Sequence, residues 1–354
     1  MSLTIKHINA DTSFLLTFSP AGGSLPASEA STGAFSILID PWLSGPSKIW
    51  HRKFSISHHR IRACVSSLAE LPEPDLVLIS QNKPDHCHRE TLCQLKSSSK
   101  KTRVLAEHGA AKKIRRWKYF APSQVQSLRR YEVKKEKSLH RIPIPASSPG
   151  GVAGEVAIAF ISSKRDITGL HNAIGITYQA PSAPRHRYST KTPLTPSDSS
   201  LSSTSSAAIT YPTQSTWQRL ERPVSVIYSP HGISYPSIER WAVSHLAPQA
   251  ALPLTALLHS FDQVENPWWL GGTISAGLPG GIEIARNLFA RAWISAHDEE
   301  KENAGLSVSN TKTKVYSPQD VQRLMKPEGK HQSKKGLTDV VVLGVGEELD
   351  LKAG

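Results

Sequence analysis

Residues 74–81 read PDLVLISQ, a continuous apolar run held between prolines. Such a run has no polar side to turn toward water, so it forms a strand buried on both faces. That demand narrows the fold, because a strand covered on both sides needs a layer above it and a layer below it. The neighbouring pattern supplies them. Before it stands the β-rich AFSILID, ending at Asp40 ahead of the turn-prone PWLSGPS. After it come a predicted helix RETLCQLK, a strand TRVLAE and a helix HGAAKKIRRW. This β-α-β-α order argues for sheets flanked by helices.

Farther along, GEVAIAFISS and NAIGITYQA are expected to pair antiparallel. PVSVIYSP is a further strand, SIERWAVSHL a helix, and AALPLTALLHSF an apolar run. A helix over GGIEIARNLF then leads into the strand RAWISAH, and DVVVLGVGEELDL closes the chain as a final strand. No internal repeat occurs at a period of about 20 to 50 residues.

The body is read as a single domain over 1–354 with two inserts. Residues 181–215 are dominated by Ser, Thr and Pro and cannot offset their ordering entropy, so disorder is expected there. The charged stretch 299–337 is expected to be partly disordered before the last strand. Three cysteines, Cys64, Cys87 and Cys93, show no CxxC spacing, which indicates neither a disulfide framework nor a thiolate zinc knuckle. No apolar run approaches the roughly 18 residues of a membrane span, and a soluble, cytoplasmic protein is expected.

The formal charge of +13 raises the question of nucleic acid. Cations cluster between Lys100 and Lys137, in KSSSKKTRVLAEHGAAKKIRRWKYF and SLRRYEVKKEK, without a recognised nucleic-acid-binding signature. The helix AAKKIRRWKYF places Ile114, Trp117 and Phe120 on one face and cations on the other, so a solvated face accounts for it. Nucleic-acid binding through this segment ranks last among the functional readings.

Three strands end in potential metal ligands. Asp85 and His86 follow LVLIS, His231 follows VSVIYSP, and His297 follows RAWISA. Ligands gathered at strand ends form a site grafted on a rigid sheet. A competing account of Asp85 and His86 is that they cap the helix beginning near Arg89. Asp40 is expected to support a turn or stand behind a ligand. His259, Asp262 and Asp298 read as polar loop residues, and His58 and His59 as surface loop. Trp42, Trp268 and Trp269 are expected in the core or a pocket wall, and Cys87 in the core as readily as in the loop.

The order ILIDPWLSG, LVLISQNKPDHCHRETL, VIYSPHG, ARAWISAHDEE and a closing GVGEEL resembles the metallo-β-lactamase superfamily. It is most similar to the branch of N-acyl-phosphatidylethanolamine phospholipase D and the ascorbate-phosphate lactonases, over nearly the whole chain apart from the insertion. The resemblance implies a four-layer αββα sandwich of two mixed β-sheets with outer helices. It also implies a loop H-x-H-x-D-H that binds two metals. Asp85 and His86 match the second half of that loop, whereas Gln81 and Lys83 stand at its first two histidines. Ser162 and Ser163 stand where the next histidine falls, and His171 is a poor substitute. His231 replaces a bridging aspartate, and His297 matches the terminal ligand.

One metal's ligands are therefore largely present and the other's are gone. Lys83 would have to lose its proton to coordinate, which costs roughly 4.6 kcal/mol between a pKa of about 10.4 and pH 7. Its ammonium is instead expected to replace the missing ion and anchor an anionic substrate. Asp85, His86 and His297 would hold one divalent metal, zinc being the first choice, with His231 as fourth ligand, general base or oxyanion donor. The expected activity is hydrolysis of an ester, lactone, amide or phosphodiester bond in a small molecule. The alternative is a catalytically inactive member of the fold that binds a metabolite or protein partner.

Overall fold

A computed structural model describes residues 1–21, 33–163, 166, 168–182, 222–326 and 338–353. Two seven-stranded sheets lie at its centre. In the first, Glu348–Lys352, Ser2–His7, Phe14–Ser19 and Phe35–Ile39 run antiparallel in turn. Leu76–Ile79, Arg103–Ala106 and Val125–Ser127 then continue the sheet in parallel. The second sheet repeats that plan. Leu139–Ile144, Gly154–Ser162, Asn172–Gln179 and Val224–Ser229 are antiparallel. Ala256–His259, Ala292–Ser295 and Asp339–Val341 follow in parallel.

Side-chain alternation along each strand explains the layers. Leu76 and Leu78 face the second sheet and share a core with Leu3, Phe14, Ile37, Ile174, Val226 and Ile294. Val77 and Ile79 face outward and pack beneath Ala110 and Ile114 of the helix His108–Arg116. On the far side, Ile227, Leu257 and Trp293 pack under Ile238 and Trp241 of Tyr235–Trp241 and Ile284 of Gly277–Asn287. The result is the αββα sandwich. Gly175 shows how tight the outer layer is, since a Cβ there would lie 2.5 Å from the Trp241 indole.

Several expectations change. The first twenty residues, to which no strand was assigned from the sequence, form a hairpin inside the first sheet. The closing segment makes two strands rather than one, Asp339–Val341 in the second sheet and Glu348–Lys352 in the first. The helix after the ligand loop is a single turn, Arg89–Leu92, because the chain turns again through Cys93. The charged stretch from residue 299 builds the strands Glu302–Ala304 and Lys312–Lys314 and the helix Pro318–Met325. Its remainder, 327–337, and all but the first two residues of the Ser/Thr/Pro-rich segment 181–215, lie outside the described residues.

Candidate metal centre

The strands Leu76–Ile79, Val224–Ser229 and Ala292–Ser295 each have a parallel neighbour and deliver their ligand loops to one edge of the sandwich. There His86, His231 and His297 offer ring nitrogens that all lie within 4.8 Å of one another. Ring centroids are 5.2 Å apart for His86 with His231 and with His297, and 4.5 Å for His231 with His297.

Each imidazole is fixed through Nδ1. His86 Nδ1 donates to Asp40 Oδ2 at 2.8 Å, His231 Nδ1 to the carbonyl of Ile274 at 3.0 Å, and His297 Nδ1 to Asp11 Oδ1 at 2.8 Å. Carboxylates and carbonyls only accept, so Nδ1 carries the proton in all three rings and Nε2 is the free donor atom toward a cation. The Nε2 atoms of His86 and His231 are 3.1 Å apart. Two imidazoles on a tetrahedral zinc would stand about 3.3 Å apart, given bonds near 2.05 Å.

Electrostatics sort the rings. Burial opposes charge on His86, yet Asp85 and Asp40 outweigh it and raise its pKa. His231 is pushed well below the ordinary histidine range by burial and by its neighbours His297 and His86. Burial likewise lowers His297, against the pull of Asp11. The Nε2 atoms of His86 and His231 stand at hydrogen-bond distance, and a divalent ion held by both would take the place of the hydrogen such a contact needs.

Asp40 is more than a turn residue. Its Oδ2 accepts from Ser80 Oγ at 2.5 Å and Tyr228 OH at 2.8 Å besides His86, and its Oδ1 accepts from the Ser80 amide at 2.8 Å. Asp40 and His297 hold the left-handed region, at φ 41° and 72°. Such backbone costs of order 1–3 kcal/mol in a non-glycine residue, and it falls here on two groups that shape the centre. Gly232, at φ 77°, releases the chain after His231, where a Cβ would meet His259 Nε2 at 2.8 Å.

Asp85 lies at the rim, its Oδ2 3.9 Å from His86 Nε2 and its side chain 21% exposed. It does not cap the following helix; His88 does, accepting from the Thr91 amide. Asp85 Oδ1 is buried without a hydrogen-bond partner among the described residues. The trio thus contains His231, cast from sequence as a base or fourth ligand, while Asp85 stands outside it as the adjacent carboxylate. Lys83 makes no ion pair or hydrogen bond through its ammonium among the described residues, and only its carbonyl is used, by the His86 and Cys87 amides. His171 is spent on the carbonyls of Gly232 and Thr273.

The buried ammonium belongs to Lys301. Its Nζ is 2.7 Å from Asp11 Oδ2 and lies over the Trp42 ring. Burial works against both charges, but Asp11 and Asp85 raise the Lys301 pKa, while His297 and Lys301 hold Asp11 well below the carboxylate range. Asp11 and Lys301 were missed from sequence. The hairpin turn did carry a signal, since Asn9 Oδ1 accepts from the Asp11 and Ser13 amides, as an Asx turn requires. Lys301 sits in a charged loop with no distinguishing neighbours.

Other readings also shift. His59 is no surface residue: its ring lies 3.7 Å from Trp42 and its Nδ1 bonds Glu299. Trp42 is buried, whereas Trp268 and Trp269 are exposed, at 88% and 58%. Asp298 clasps the Phe261 and Asp262 amides, and Cys87 is buried, its thiol pushed up to about 12 by desolvation.

The architecture is an αββα sandwich of the metallo-β-lactamase type of fold, with three imidazoles gathered at one edge. The Beta-lactamase superfamily domain matches residues 36–163, which include Asp40 and the Asp85–His86 loop. Among solved structures, an isothiocyanate hydrolase from Delia radicum gut bacteria is similar at 12% identity and TM-score 0.51, covering 99% of this chain and 100% of that one. At that identity the likeness speaks for the fold alone. Igni18, a metallo hydrolase from Ignicoccus hospitalis, matches at 11% identity and TM-score 0.45, covering 99% and 98%. No curated protein sequence matches the chain. Among the described residues no helix is long and apolar enough to cross a membrane.

Proposed function

We propose that this protein is a mononuclear metal-dependent hydrolase of an ester, lactone, amide or phosphodiester bond in a small molecule. The observation that carries the reading is the convergence of three imidazoles, each locked through Nδ1. The residues fit a divalent ion: three imidazole nitrogens turned toward one another, and a buried Asp85 Oδ1 with no hydrogen-bond partner among the described residues. Zinc suits this set, with a position left open. Such an ion would supply Lewis acidity, polarising the scissile carbonyl or phosphoryl oxygen and acidifying a water.

The chain's own groups do the rest. Asp40 and Asp11 hold His86 and His297 in the coordinating tautomer, and Lys301 keeps Asp11 ionised. Asp85, beside the trio, is placed to take a proton from the attacking water through Oδ1 or to serve as a fourth ligand. Lys83, half-exposed and without an ion pair among the described residues, is available to an anionic substrate.

Elemental analysis tests the reading. The unmutated protein should carry about one equivalent of metal, and His231→Ala and His297→Ala should each lose most of it. Metal below about a tenth of an equivalent after loading would end the proposal. A full equivalent without turnover of any of these bond types would favour the binding protein of the same fold.

A further inference from the structure

The segment SLRRYEVKKEK, part of the basic cluster between Lys100 and Lys137, lines two hollows on the side of the sandwich. One, of about 900 Å³, lies among Arg130, Lys134, Arg240, Ser162, Ser163 and Ser237. The other, of about 770 Å³, lies among Arg115, Arg129, Arg130, Lys137 and Ser127. Both are lined by Arg130 and Glu132, so they adjoin as one trough. Glu132 is the trough's one carboxylate and pairs with Lys135 at 2.8 Å. Arg115, Arg129, Arg130, Lys134, Lys137 and Arg240 have no carboxylate partner among the described residues.

Unpaired like charges crowded along one concavity repel one another, and only a polyanion relieves them along its length. Four of the six are arginines, whose planar fork suits phosphate oxygens. Two are already oriented by the protein: Arg130 donates to the Ser162 carbonyl at 2.7 Å and Arg115 to the Val125 carbonyl at 2.7 Å. A concave trough admits a chain and not a flat surface, which argues against a membrane. The short loop after His231 leads into the helix Tyr235–Trp241, whose Pro236, Ser237 and Arg240 line the trough.

We infer that this trough binds an extended phosphate-bearing chain, the backbone of a single-stranded nucleic acid or an inorganic polyphosphate. The binding is separate from the hydrolase reading, because none of its cations touches the three imidazoles.

Fluorescence anisotropy of the full chain with a labelled oligothymidylate, an oligouridylate and competing polyphosphate tests it. Neutralising four to six phosphates predicts a log–log salt slope of about −3 to −4, and thus roughly 100-fold weaker binding between about 50 and 200 mM salt. The triple variant Arg129→Ala, Lys134→Ala, Lys137→Ala changes exposed residues only. It should bind more than about tenfold more weakly, with a slope shallower by about 2. Competition by polyphosphate assigns the ligand to the phosphate chain itself; binding of the oligonucleotides without such competition adds a contribution from the bases, and both support the trough. No binding at low salt, a flat salt dependence, an unchanged triple variant, or binding to phosphatidylserine vesicles but to neither strand nor polyphosphate overturns it. Metal content is unaffected by any of these results.

Discussion

Asp11 and Lys301 form the residue-scale device on which His297 depends. Asp11 is fully buried and Lys301 is 12% exposed at its side chain, so removing either partner strands a charge. Lys301→Met should lower stability of the metal-free protein by roughly 3–5 kcal/mol, read from its urea midpoint. Asp11→Asn keeps the volume but can present an amide hydrogen to His297, disturbing the tautomer that coordinates. Its metal affinity, measured by competition with a chromogenic chelator, should fall about 10- to 100-fold. Thiol chemistry follows burial at the same scale: a disulfide reagent should label exposed Cys64 quickly and buried Cys87 only on unfolding.

At the scale of elements, the strands most plainly visible in the sequence are those buried on both faces. Leu76–Ile79 and Val224–Ser229 read as apolar runs because layers cover both sides, and that pattern needs no partner to be recognised. The hairpin Ser2–Ser19 was harder, since the alternating burial of Ser2–His7 is diluted by polar residues on its half-exposed side. The split of the last segment between two sheets is a matter of pairing, which local pattern does not record. Packing between elements has its own test. Gly175→Ala would press a methyl into the Trp241 ring and should cost about 1–3 kcal/mol, while Gly175→Ala combined with Trp241→Phe should recover part of it.

Whole-molecule stability should depend on pH through imidazoles held neutral in the interior. His245, bonded to Thr177 Oγ1, and His259 are both lowered to about 4, chiefly by desolvation. Unfolded chains take up a proton near pH 6.5 that the folded protein refuses until about pH 4. Between those values the unfolded state binds more protons, so stability is complete above the window and declines as pH falls through it, by roughly 3 kcal/mol for each histidine. Urea midpoints measured across that range should show the decline, and His245→Gln should make it shallower.

How much of the centre was legible follows from the same physics. Asp85, His86, His231 and His297 were found because each stands just past a strand, a relation of neighbours in sequence. Their roles were not: the trio includes His231 and leaves Asp85 beside it, since ring direction depends on Asp40, Asp11 and Ile274, residues distant along the chain. That Lys301 is a buried cation was missed for the same reason. An ammonium stays charged in the interior where a carboxylate meets it, and Asp11 comes from a turn nearly three hundred residues earlier. Apolar periodicity by itself determined the buried strands, the helices that flank them and the strand ends on which the ligands stand, because burial acts on each strand separately, while the two-sheet sandwich was what the family resemblance implied. Only the tertiary structure decided which groups meet there, since hydrogen-bond direction and charge pairing arise between parts of the chain that share no local pattern.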